Sequence, residues 1–147
     1  MRIQPFCFKA KLVSTHDGDT FYLDVYRGEG LKSEKSKYRL FGVDTPEVRG
    51  ASDEEERYGV EARQFVDDTL KAQPSGDLVI STYKGDSKFD WLVDIYITHD
   101  AKGNQLLADG SFVALSQHII DYGHGVPYLG ATKQPWSARK ALMDAQR

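Results

Sequence analysis

With 147 residues, 40% of them hydrophobic and 28% charged, the chain can bury one hydrophobic core but is short for two ordinary domains. A single domain over residues 1–147 is therefore expected. A net charge of −3 argues against a protein whose main task is to grip long nucleic acid through many Lys and Arg contacts, and the lone Cys7 excludes an internal disulfide.

The first strand signal is Phe6, Phe8, Ala10 and Leu12 alternating with Cys7, Lys9 and Lys11, and the second is Phe21, Leu23 and Val25 alternating with Tyr22, Asp24 and Tyr26. Between the second and third signals, Arg27 to Lys37 is polar and glycine-bearing and reads as a hairpin loop. Tyr38 to Val43 is the third strand, in which Arg39 and Val43 would share a face, and the acidic run Asp53-Glu54-Glu55-Glu56 reads as solvated surface. Tyr58, Ala62, Phe65, Val66, Thr69 and Leu70 then form one stripe of an amphipathic helix.

Leu78 to Tyr83 is the fourth strand; in the fifth, Trp91, Val93, Ile95 and Ile97 share one face. Phe112, Leu115, Ile119 and Tyr122 repeat at helical spacing up to Gly123, a C-terminal cap residue, and a shorter helix runs from about Trp136 to the end. Trp91 and Trp136 read as core residues, while His118 reads as surface or packing. This order gives an α+β fold with a mostly antiparallel sheet. Five short strands with two or three flanking helices suit a Greek-key barrel of the oligonucleotide-binding type, and the pattern leaves other small barrels open.

Two acidic segments carry the chemistry. In His16-Asp17-Gly18-Asp19-Thr20 the Asp-Gly pair reads as a tight turn, yet alternation points Asp19 inward with Phe21, where a carboxylate is costly unless a cation or donor meets it. In Arg39-Leu40-Phe41-Gly42-Val43-Asp44-Thr45-Pro46-Glu47, proline ends the ladder, leaving Asp44 and Glu47 on a loop at a buried strand end. Asp19, Asp44 and the Thr45 carbonyl, with waters, make a hard oxygen set suited to Ca²⁺ or Mg²⁺ and unsuited to zinc. Glu47 can orient or deprotonate an attacking water, and Arg39 can hold phosphate oxygens in its planar fork.

These segments, followed by Tyr58-Gly59-Val60-Glu61-Ala62, resemble the staphylococcal nuclease (thermonuclease) family. The resemblance implies an oligonucleotide-binding barrel that cleaves DNA and RNA, single strands preferred, with Ca²⁺ as cofactor and Mg²⁺ or Mn²⁺ as alternatives. It implies Asp19, Asp44 and Thr45 as metal ligands, Arg39 as a phosphate-binding catalytic arginine and Glu47 as the base. The family's second catalytic arginine has no counterpart in Asp86-Ser87-Lys88-Phe89-Asp90-Trp91-Leu92, where an acid, Asp90, stands near its place. Loss of such a donor typically costs about 10²–10³ in rate.

Lys88, Lys84 or Arg49 could supply the charge instead, and Tyr83 and Tyr128 could stack on bases. The alternative is a catalytically silent module that binds nucleic acid or another partner. The N-terminus lacks a sustained apolar stretch and no run nears the roughly 20 residues of a spanning helix. A cytoplasmic location without a membrane partner is expected, with secretion open for a mature form, and a monomer is expected with a dimer open.

Overall fold

A computed structural model describes residues 7–84, 91–128 and 132–147, with the backbone alone for Lys84. The elements in order are β1 (Cys7–Asp17), β2 (Thr20–Gly28), β3 (Leu31–Leu40), β4 (Val43–Asp44), α1 (Asp53–Lys71), β5 (Leu78–Lys84), β6 (Trp91–Ile97), β7 (Val113–Ala114), α2 (Leu115–Asp121), β8 (Val126–Pro127) and α3 (Trp136–Gln146). Strand pairing runs β3-β2-β1-β5-β6, and a parallel pairing of β3 with β6 closes the ring into a five-strand mixed barrel. The fold is therefore α+β and of the oligonucleotide-binding barrel kind. Among the described residues no helix is long and apolar enough to cross a membrane.

Alternation builds the interior as the sequence implies. Phe21, Leu23 and Val25 of β2 and Val93, Ile95 and Ile97 of β6 are fully buried, and Tyr38, Leu40 and Ile80 complete the lining. The stripe of α1 closes one side through Val66 and Leu70, and α2 adds Leu115 and Ile119. Burial of each such side chain contributes about 1.5–3 kcal/mol. A smaller cluster of Tyr58, Val126 and Met143, with Trp136 against it, docks α3 onto α1.

Four local expectations change. The stretch Arg27–Lys37 is mostly strand: β2 and β3 continue as a paired arm, with Gly28 opposite Leu31 across the two-residue turn Glu29-Gly30. Both turn residues have positive φ, 53° and 78°, the geometry that matches the twist of a hairpin. This arm is wet on both faces, so it needs no apolar alternation to be a strand. The run Tyr38 to Val43 is not one strand, because a turn at Phe41-Gly42, with Gly42 at φ 86°, separates β3 from β4. Val43 is thereby freed to pair with Pro127 of β8, and the parity linking it to Arg39 no longer applies.

Phe112 is 56% exposed and lies before β7, outside α2, which starts only at Leu115 once β7 has paired with β6. Trp91 is 49% exposed at the first position of β6 rather than in the core. The Gly123 cap stands, with φ 74°, and α3 packs directly upon it: a Cβ there would lie 2.5 Å from the Met143 carbonyl oxygen.

Candidate active site

The β1–β2 turn brings Asp19 to one end of the barrel. Asp17 pairs with Thr20, so Gly18 and Asp19 are both a tight turn and the source of an inward carboxylate. Asp19 is 6% exposed, and its backbone carbonyl accepts from Leu40 N–H at 2.7 Å, which ties the turn to the end of β3. Gly18 permits this approach, since a Cβ would sit 2.8 Å from Thr45 Cγ2. Asp44 is 3% exposed and ends β4, where Gly125 lets β8 come close.

The two carboxylates converge on one cation. Arg39 Nη2 lies 3.9 Å from Asp19 Oδ2 and 3.8 Å from Asp44 Oδ1. Thr45 N–H donates to Asp19 Oδ2 at 3.1 Å and Thr20 Oγ1 donates to Asp19 Oδ1 at 3.1 Å. Burial, then the neighbouring Asp17, pushes the Asp19 carboxyl up to about 7, against the pull of Thr45 N–H and Arg39. Burial also raises Asp44, with Asp19 adding to it and Lys133 and Arg139 opposing it.

Donor chemistry tests whether a metal fits. Asp44 Oδ2 and Thr45 Oγ1 are buried without a hydrogen-bond partner, and an unpaired buried oxygen is costly. Two suppressed carboxylates beside orphaned oxygens suit a hard divalent ion, which would restore their ionisation. Among the described residues no group of three His, Cys, Asp or Glu forms a metal cluster. An ion here would rely on this pair, with backbone oxygen and water completing its shell.

Glu47 stands on the loop after β4, and α1 fixes that loop. At Gly59 a Cβ would lie 2.3 Å from the Glu47 carbonyl oxygen, so only glycine lets the helix and loop touch. Glu47 N–H donates to Glu55 Oε2 at 3.0 Å. Glu55 is not solvated surface: it is 6% exposed and accepts Arg139 Nη2 at 3.0 Å and Nη1 at 3.2 Å. Burial pushes Glu55 up, but the Arg139 and Glu47 hydrogen bonds outweigh it and hold the carboxyl below its usual range. The signal was present in Ser52-x-x-Glu55, a capping pattern in which Ser52 Oγ accepts Glu55 N–H at 3.2 Å.

Two cations escaped the reading of the sequence. Lys133 Nζ lies 2.8 Å from Glu47 Oε1 and 3.4 Å from Asp44 Oδ1. Burial opposes its charge, yet the hydrogen bond to Glu47 and the charges of Asp44 and Glu47 raise its pKa. Arg139, held by Glu55, also reaches within 3.9 Å of Asp44 Oδ2. Neither stands in a motif, and Arg139 is 84 residues from Glu55.

The remaining candidates divide. The Arg39 guanidinium sits 5.1 Å over the Tyr128 ring, and Tyr128 N–H donates to Gly42 carbonyl at 3.1 Å, so Tyr128 steers the arginine. Register places Arg39, Leu92 and Tyr83 in one row across β3, β6 and β5, with Tyr83 against Phe41 at 5.9 Å. Arg49 is exposed on the loop after Glu47, and Lys133 is the cation 2.8 Å from Glu47 Oε1. Lys88 and Asp90 lie outside the described residues.

A family model described as Staphylococcal nuclease homologue matches residues 37–142, a stretch that carries Arg39, Asp44, Glu47, Glu55, Lys133 and Arg139 but begins after Asp19. No curated protein matches the chain.

Proposed function

The chain belongs to the staphylococcal nuclease family, and from that premise we propose that it is a calcium-dependent phosphodiesterase cleaving DNA or RNA with little sequence preference. The observation that carries the reading is the convergence of buried Asp19 and Asp44 on Arg39, with Glu47 on the adjoining loop. Asp19, Asp44 and Thr45 would hold Ca²⁺, or Mg²⁺ or Mn²⁺ in its stead. Bound there, the ion would polarise a phosphoryl oxygen and offset the charge that develops on it.

The chain's own residues do the rest. Arg39, its fork oriented over Tyr128, binds phosphate oxygens and stabilises charge as the P–O bond breaks. Glu47 takes the proton of the attacking water as the water oxygen bonds to phosphorus, once its contact with Lys133 loosens, and the leaving oxygen takes a proton from solvent as its own P–O bond breaks. Lys133 is a second positive charge beside Arg39, although an ammonium does not reproduce the planar fork of a second arginine. A reduced rate is expected from that difference.

A second reading, a silent module that binds nucleic acid without cutting it, draws on one observation: Glu47 Oε1 is already engaged by Lys133 at 2.8 Å. Calorimetry with calcium and a nucleoside bisphosphate separates the two. Mutually dependent binding of metal and nucleotide supports the nuclease. Nucleotide binding indifferent to calcium supports the silent module.

A further inference from the structure

Three univalent cations crowd the Asp44 carboxylate. Arg39 Nη2 and Lys133 Nζ lie 3.8 and 3.4 Å from Oδ1, and Arg139 Nη1 lies 3.9 Å from Oδ2. Lys133 also reaches Glu47, 2.8 Å from its Oε1, so one ammonium links a carboxylate suited to a metal with the carboxylate suited to be the base. A divalent ion on Asp44 would add two further positive charges to this group, and mutual repulsion requires one of the three cations to give way.

Their supports decide which one leaves. Arg139 is buried and fixed by two hydrogen bonds to Glu55 and one to the Gln134 carbonyl at 2.9 Å. Arg39 is rooted in β3, with its guanidinium over the Tyr128 ring. Lys133 stands outside any helix or strand, just before α3, with its side chain 38% exposed and that of Glu47 46% exposed. Its flexible stem carries an ammonium that water solvates well, so departure is least costly for Lys133.

We propose that Lys133 is an internal counter-ion, which leaves Asp44 and Glu47 when a divalent ion binds and moves to the phosphate of the substrate. The inference rests on the nuclease reading for the metal at Asp19 and Asp44, and adds the regulation of that site. In the metal-free chain Lys133 offsets the charge of Asp44 and keeps Glu47 engaged, so the base is masked. Its departure unmasks Glu47 and frees a compact charge that meets phosphate oxygens as a point rather than a fork. Loading of the site and release of its base are then one event, and metal and phosphate each strengthen the binding of the other through Lys133.

Calorimetry with calcium alone, on the native chain, Lys133→Met and Arg49→Met, tests the competition. Lys133→Met should bind calcium about fivefold tighter than native, because the ion pairs that oppose binding are gone. Arg49→Met removes an exposed charge from the same loop as Glu47 and should change the affinity by less than about twofold, since exposed charges are screened. A nucleoside bisphosphate should show the opposite order: in saturating calcium it should bind Lys133→Met about tenfold more weakly than native, and in chelator equally to both. Magnetic resonance of the native chain needs no variant to fold: the Lys133 ammonium, held by two carboxylates, should give a slowly exchanging signal in chelator and lose it with calcium.

Equal calcium affinity in native and Lys133→Met, an equal gain in Arg49→Met, undiminished bisphosphate binding by Lys133→Met in calcium, or a Lys133 signal that survives calcium would each overturn the displacement and leave the metal site standing. Calcium bound by Lys133→Met but not by the native chain would support the displacement and sink the nuclease reading for the native chain. Calcium bound by neither would overturn both.

Discussion

Replacing Asp19 with asparagine in the metal-free protein should change how stability depends on pH. The Asp19 carboxyl rises from 3.8 to about 7 because it is buried beside Asp17, so the folded chain holds that proton more tightly than the unfolded chain. Stability from this group is therefore full below about pH 4 and is lost as pH climbs to about 7. Three units at about 1.36 kcal/mol each amount to roughly 4 kcal/mol, and Asp44, also raised by burial, adds in the same direction. Urea unfolding in chelator at pH 4 and pH 8 measures it, because titrations that do not interact with Asp19 cancel in the difference between native and Asp19→Asn proteins, and the part of the Asp44 shift that Asp19 causes is counted with it. The variant should gain about 4 kcal/mol relative to native between the two pH values. Calcium at about 100 times its dissociation constant should then add about 2.7 kcal/mol to the native chain at pH 8 and little to the variant. Parallel pH curves for the two proteins would refute the buried, proton-holding carboxylate.

Three other outcomes follow from the contacts around the site. Arg139→Met leaves Glu55 buried without its cation and should cost roughly 3–5 kcal/mol in urea unfolding, with Glu55→Leu/Arg139→Met recovering part of it. Gly59→Ala should destabilise the protein and lower any cleavage, because the new Cβ meets the Glu47 carbonyl; a stability gain of up to about 1 kcal/mol, as helix propensity alone predicts, would contradict that contact. Burial beside Phe65 and near Arg147 lowers His124 to about 4, so its contribution is present above about pH 6.5 and lost as pH falls towards 4. His124→Phe should flatten the acid limb of a thermal-melting pH profile, and an unchanged limb would count against the assignment.

The parts of the fold legible in the sequence were those with one wet and one dry face. Phe21, Leu23 and Val25, and Val93, Ile95 and Ile97, alternate because the barrel interior demands it, and the stripe of α1 does so for the same reason. The arm at Leu31–Lys37 was hidden because neither of its faces is buried, so pairing and turn geometry alone make it a strand. Asp19, Arg39, Asp44 and Glu47 were visible because short segments hold them next to the turns that position them. Glu55, Lys133 and Arg139 were not, because their partners are distant in sequence: Glu47 and Lys133 are 86 residues apart. Trp91 misled because alternation assigns a face but does not say where the barrel stops covering it.

The most direct test is release of acid-soluble nucleotides from single-stranded DNA, with calcium and with chelator, by the native chain and by Arg39→Ala. The account predicts release that requires the divalent ion and falls about 10²–10³-fold in the variant. No release above blank with calcium, magnesium or manganese, or equal release in chelator, would contradict it.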